Sequence, residues 1–130
     1  MDCPEDADTY IHRVGRTARF DRDGKALLLL LPSEKEFIVQ LEAKRVPITE
    51  TEANFAKIQS IKSNLQAYCA EDQTLKYLAQ KCFISYMRSV FLQANKSVFK
   101  LDQLPAKDFS MALGLPAAPK IKFLNVRSTM

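Results

Sequence analysis

The 130 residues predict an α/β segment over 1–48, a mostly α-helical extension over 49–124 and a frayed tail at 125–130. Three observations carry this reading. A short unbroken apolar run, Ala26 to Leu31, is bounded by a turn signal and a proline, as in a strand buried on both faces of a parallel sheet. A Ser33…Glu36 pair opens the next segment as a capping box. From Glu52 onward, large apolar residues recur at spacings of three and four, the period of an amphipathic helix.

Taken in order, Asp6 or Asp8 is placed to cap a short helix through Tyr10 and Ile11. Asp21-Arg22-Asp23-Gly24 reads as a turn, and Lys25 to Leu31 as the strand. Pro32 and Ser33 stop it. A helix then runs to about Lys44 with Phe37, Ile38 and Leu41 on one side, and Val46-Pro47-Ile48 is extended. One strand cannot make a sheet, so residues 1–48 read as the closing helix–strand–helix of a larger doubly wound domain. In the extension, Phe55, Ile58, Ile61, Leu65 and Tyr68 predict a first helix, and Asp72 is the candidate N-cap of a second. That second helix carries a broad stripe from Leu75 to Phe91 and reaches about Ala94, with Cys82 read as core. Asn95-Lys96 is a turn. Pro105 opens a short helix bearing Phe109 and Leu113, Gly114 closes it, and Lys120 to Leu124 alternates like an extended segment.

Composition narrows the function classes. Apolar residues make up 47% and charged residues 26%, ordinary for a globular domain. No apolar stretch has the length of a membrane span, and no basic-then-apolar leader pattern is visible. The three cysteines match no zinc or redox spacing and read as reduced thiols. The formal charge of +4 is unevenly spread: residues 1–50 hold eight Lys/Arg against ten Asp/Glu, and residues 51–130 eleven against five. The second part is the basic one, and either a nucleic-acid-facing surface or a solvated basic face accounts for that.

The densest chemistry lies in Tyr10-Ile11-His12-Arg13-Val14-Gly15-Arg16-Thr17-Ala18-Arg19, where three arginines and the only histidine fall within eight residues. Residues three apart share a side of a helix, and guanidinium groups remain charged and fit phosphate oxygens. A polyphosphate is one target for such a cluster. A solvated basic turn paired with Asp21, Asp23, Glu5, Asp6 and Asp8 is the other reading of the bare residues.

The string His-Arg-x-Gly-Arg-x-x-Arg, led in by Asp2-Cys3-Pro4 and Asp8-Thr9-Tyr10-Ile11, resembles the last helicase motif of the DEAD-box RNA helicases. Ala18 stands where many members carry glycine. The stretch Lys81 to Val90, with Phe109 to Gly114 and Pro119-Lys120, is similar to the helical extension of the branch that works in nucleolar ribosome assembly on the small subunit. The resemblance implies that residues 1–48 finish the second RecA-like domain. It implies that Arg16 and Arg19 reach the γ-phosphate of ATP across an interdomain cleft, that His12 helps arrange the attacking water, that Arg13 buttresses the site and that Gly15 permits close approach. ATP with Mg²⁺ would be the cofactor. The phosphate loop and the DEAD box that hold most of it are absent from these 130 residues, so the chain by itself is expected not to hydrolyse ATP. Pre-ribosomal or small nucleolar RNA and ribosome-assembly factors would be the partners, in the nucleus and nucleolus. Lys81, Arg88, Lys120 and Lys122 are the candidate RNA contacts, and no metal ligands are expected from the chain itself. The chain then looks like a C-terminal piece of a longer protein. The competing readings are a truncated product acting as an RNA- or protein-binding adaptor, and a small enzyme built on His12, for which no second catalytic residue is placed.

Overall fold

The computed structural model describes residues 2–17 and 23–122. Among the described residues five α-helices form, α1 Ala7–Val14, α2 Phe37–Ala43, α3 Lys62–Glu71, α4 Gln73–Leu92 and α5 Ala106–Ala112, with single 3₁₀ turns at Pro32–Glu34, Phe55–Lys57 and Leu101–Gln103. The chain divides into two compact units, one of residues 1–51 with 91–103 and one of residues 52–90 with 104–130.

In the first unit α1 packs on α2. The sequence places Ala7 and Tyr10 on one side of α1, and Phe37 and Leu41 on one side of α2, and all four are buried. Cys3, Pro4, Val98 and Phe99 complete the apolar interior of this unit. An ion pair, Lys44 Nζ to Asp8 Oδ1 at 3.7 Å, joins the two helices at the surface, where such pairs contribute little. Helix α2 ends in a Schellman motif: Val46 N–H bonds to Leu41 C=O at 2.9 Å and Arg45 N–H to Glu42 C=O at 2.9 Å. The residue in the left-handed position is Arg45, with φ 57°.

The second unit is built from α3, α5 and α4 as far as Val90. Its centre is aromatic. The Phe109 ring lies 5.5 Å from that of Phe83 and 4.9 Å from that of Tyr86, centroid to centroid. Such offset and tilted pairs add to simple area burial. Helix α5 also ends in a Schellman motif, with Leu115 N–H to Ser110 C=O and Gly114 N–H to Met111 C=O, both at 3.0 Å. Here glycine occupies the left-handed position at φ +89°, and α3 passes so close that a Cβ on Gly114 would lie 2.5 Å from the Leu65 carbonyl oxygen.

Several expectations hold. Asp6 caps α1, its carboxylate accepting from Thr9 N–H at 2.7 Å. Asp72 caps α4 through Thr74 N–H at 2.8 Å and Leu75 N–H at 3.4 Å. Pro105 precedes α5, and Asn95 forms the expected turn by accepting from Ser97.

Others are corrected. The run Lys25 to Leu31 is not a strand, and no strand forms among the described residues. A strand exists through its ladder to a neighbour, and no second extended segment pairs with this one among the described residues. Leu27 and Leu29 are accordingly 78% and 54% exposed, while Leu28 and Leu30, which alternate with them, are half-buried. The first helix of the extension begins at Lys62, not near Glu52. Residues 52–61 make only one 3₁₀ turn, because Phe55, Ile58 and Ile61 remain exposed and a short isolated helix is not self-sustaining without a buried face. The Ser33…Glu36 box does not form either. Glu34 turns back instead, its carboxylate accepting from Leu31 N–H at 2.9 Å, and α2 starts at Phe37. Cys82, expected in the core, is exposed. The segment from Lys120 is not extended at Lys122 and leaves the described residues beyond it, as does the tail at 125–130.

Candidate functional site

The arginine motif sits at the C-terminal end of α1. With Ala7 and Tyr10 turned inward, His12 and Arg13 face outward, and both are exposed. Arg13 Nη1 donates to the Asp2 carbonyl at 3.0 Å and so ties the helix to the segment before it. The helix stops at Gly15, whose N–H bonds to Ile11 C=O at 2.9 Å. Gly15 has φ −64°, a conformation open to any residue. What favours glycine is space, since a Cβ there would lie 3.1 Å from the Ile11 carbonyl oxygen.

Arg16 therefore lies in the turn after the helix rather than on it, with Thr17 N–H bonding to Val14 C=O at 3.1 Å. The expected single helical row of Arg13, Arg16 and Arg19 is replaced by an exposed turn carrying Arg16. Arg19 lies outside the described residues. His12, Arg13 and Arg16 are all solvent-facing, so the arrangement offers two guanidinium groups and an imidazole to something outside the unit. The chemistry of this donor set fits a polyphosphate, which needs charge and multiple N–H donors.

The same unit holds a buried acid that sequence reading missed. Glu34 is almost wholly enclosed, beside buried Cys3. Burial raises the Glu34 carboxyl above its usual range, the Leu31 N–H opposes that, and Asp2 adds to it. Burial likewise pushes the Cys3 thiol up to about 12, with Glu34 reinforcing and Arg13 opposing. Cys3 is thus protonated and inert at neutral pH. The signal that could have found Glu34 was its place two residues after Pro32, at the end of the apolar run. Asp6, by contrast, is held below the usual carboxylate range by the Thr9 N–H it caps.

The four candidate RNA contacts do not form one group by sequence or element. Lys81 and Arg88, seven residues apart, share one exposed side of α4, and Lys81 Nζ stands 5.3 Å from the Tyr77 ring centroid. Lys120 and Lys122 are exposed beyond α5. Among the described residues there is no cluster of three potential metal ligands, and no helix is long and apolar enough to cross a membrane.

Comparison with known proteins bears on both halves of the chain. Residues 72–121, from the cap of α4 past the end of α5, match the family model described as the C-terminal extension of SPB4-like ATP-dependent rRNA helicases. The protein named ATP-dependent RNA helicase dbp4 of Aspergillus oryzae is 58% identical over 96% of this chain. That of Schizosaccharomyces pombe is 54% identical over 98%, and that of Coccidioides immitis 53% identical over 99%. The chain spans only 16–17% of the length of these relatives. Identity at this level over nearly all of the chain shows that it is related to these proteins, and residues 72–121 are a C-terminal extension of the kind the family model describes.

Proposed function

We propose that residues 1–48 are the closing part of the second RecA-like domain of an ATP-dependent RNA helicase, and that the following residues are an extension serving the same enzyme in processing ribosomal RNA precursors in the nucleolus. The observation that carries this is the 53–58% identity, over nearly all of the chain, to proteins named as ATP-dependent RNA helicases. The rRNA class comes from the family description that residues 72–121 match.

In this reading Lys25 to Leu31 becomes a strand when the remaining strands of the sheet stand beside it. The alternating exposure from Leu27 to Leu30 supports it, since that is the period of an extended chain. Bound ATP supplies the phosphoanhydride to be cleaved, and its Mg²⁺ is held by residues outside this chain. The chain's own task is to present cations. Arg16, in an exposed turn with no fixed helical row to hold it, and Arg19 after it, approach the γ-phosphate when the two domains close, and stabilise the charge that grows on the transferring oxygens. His12 on the outer side of α1 orients the attacking water, and Arg13 fixes α1 to the Asp2 segment so that the turn is correctly placed. Because the arginines are in position only after closure, RNA binding across both domains can gate hydrolysis. Lys120 and Lys122 are the cations of the extension we assign to RNA phosphates.

The test is RNA-stimulated ATPase activity of the full-length protein. Arg16→Ala and Arg19→Ala should each lower kcat by about 10³-fold or more, the scale of an arginine acting on a transferring phosphoryl group, while the protein still binds RNA. Residues 1–130 alone should show no turnover. Wild-type activity in both variants, or hydrolysis by the isolated chain that is lost with Arg16→Ala, would overturn the proposal.

A further inference from the structure

Helix α4 is twenty residues long and contains no acidic residue. One side is used by its own unit, where Phe83, Met87 and Val90 are buried. On an adjoining side Leu75, Leu78, Cys82, Ser85 and Ser89 recur at spacings of three, four, three and four, and every one is exposed. That is the seam spacing of two helices packed side by side. A soluble helix normally keeps its outward stripe polar. This one instead sets two half-exposed leucines, at 44% and 52%, above three small side chains. The small residues leave depth for large side chains from a facing helix.

The positions immediately before Cys82 and Ser89 are Lys81 and Arg88, the flanking positions whose charge sets partner choice in paired helices. Both are exposed, and Lys81 is steadied over the Tyr77 ring. We propose that this side of α4 is a docking surface for an amphipathic helix of another protein, with large apolar residues along its seam and carboxylates along its flank. A phosphate track would use Lys81 and Arg88 but would gain nothing from Leu75 and Leu78 beside them, so the apolar row favours a helix over RNA. A second copy of α4 brings no carboxylate to answer the two cations. The proposal does not depend on the ATPase role of Arg16 and Arg19, and its test leaves that role untouched.

The test uses the whole 130-residue chain and three fluorescent probes: a three-heptad peptide with leucine along its seam and glutamate on its flanks, the same peptide with lysine on its flanks, and a single-stranded RNA of about twenty nucleotides. The glutamate peptide should bind at least about ten-fold more tightly than the lysine peptide, the scale of a matched against a mismatched charge flank. Leu78→Glu should weaken it by a similar factor, and Lys81→Glu with Arg88→Glu should reverse the preference. These side chains are exposed, so circular dichroism should be unchanged in every variant. Alkylation of Cys82 with a bulky maleimide, in the middle of the seam, should block the peptide independently of any substitution. Equal affinity for the two peptides, or binding of neither, would sink the proposal. So would RNA binding that is lost with Lys81→Glu and Arg88→Glu but indifferent to Leu78→Glu, since the row would then be a phosphate track.

Discussion

Two residues occupy the same structural position in different helices, and the chain treats them differently. Arg45 and Gly114 are each the left-handed residue of a Schellman motif. Gly114 is required twice over, by its φ of +89° and by the Leu65 carbonyl that would stand 2.5 Å from any Cβ. Gly114→Ala should therefore cost about 2–4 kcal/mol, combining backbone strain with a clash against main chain that cannot rotate away. Arg45→Gly should do the reverse, raising stability by about 1 kcal/mol by relieving the left-handed strain. Denaturant melts of the two variants should move in opposite directions. Glu34 gives a third prediction at this scale. Its carboxyl is raised in the fold, so the folded state holds a proton that the unfolded chain has already released. Stability is then highest below the usual carboxylate range and falls as pH rises through the raised value. Glu34→Gln keeps an oxygen for Leu31 N–H and cannot ionise. The variant should gain stability relative to wild type at pH 7 and lose that advantage near pH 4, read as the pH dependence of the midpoint difference. Asp6 works in the opposite sense, its capping contribution fading as pH falls, which is why the difference between variants rather than either curve alone is the measurement.

At the scale of elements, what could be read from the sequence was what is decided locally. The caps at Asp6 and Asp72 and the stop at Gly114 depend on one side chain and the nearest turn of backbone, and residue type alone points to them. What could not be read depends on neighbours. The apolar run at Lys25 to Leu31 has strand composition, but a strand needs a partner, and none is present among the described residues. Phe55, Ile58 and Ile61 have helical spacing, yet nothing covers them well enough to hold the helix. Cys82 was misplaced for a related reason. Apolar residues lie on most sides of α4, so periodicity does not say which side is buried. Only the aromatic contacts of Phe83 and Tyr86 with Phe109 do. The motif at His12 to Arg19 was recognised by its string, whereas the end of the helix at Val14 and the turn that carries Arg16 follow from hydrogen bonds the string does not specify.

At the scale of the molecule, the exposed leucines make the helicase reading testable apart from its chemistry. If Lys25 to Leu31 is a strand of a larger sheet, Leu27 and Leu29 have two environments. In the 130-residue chain they are 78% and 54% exposed, and replacing them should change stability by no more than about 0.5 kcal/mol, as for other surface positions. In a full-length protein they would lie within a sheet covered on both faces, where an unpaired lysine is strongly disfavoured. The double substitution Leu27→Lys with Leu29→Lys should therefore leave the melting of the isolated chain nearly unchanged. The same substitution should destabilise the full-length protein by several kcal/mol, on the order of burying uncompensated charge. Thermal melts of the two proteins, each with and without the substitution, decide it. A small effect in both would mean that the apolar run is not part of a sheet, and the RecA-like assignment of residues 1–48 would fail even if Arg16 and Arg19 proved essential for hydrolysis.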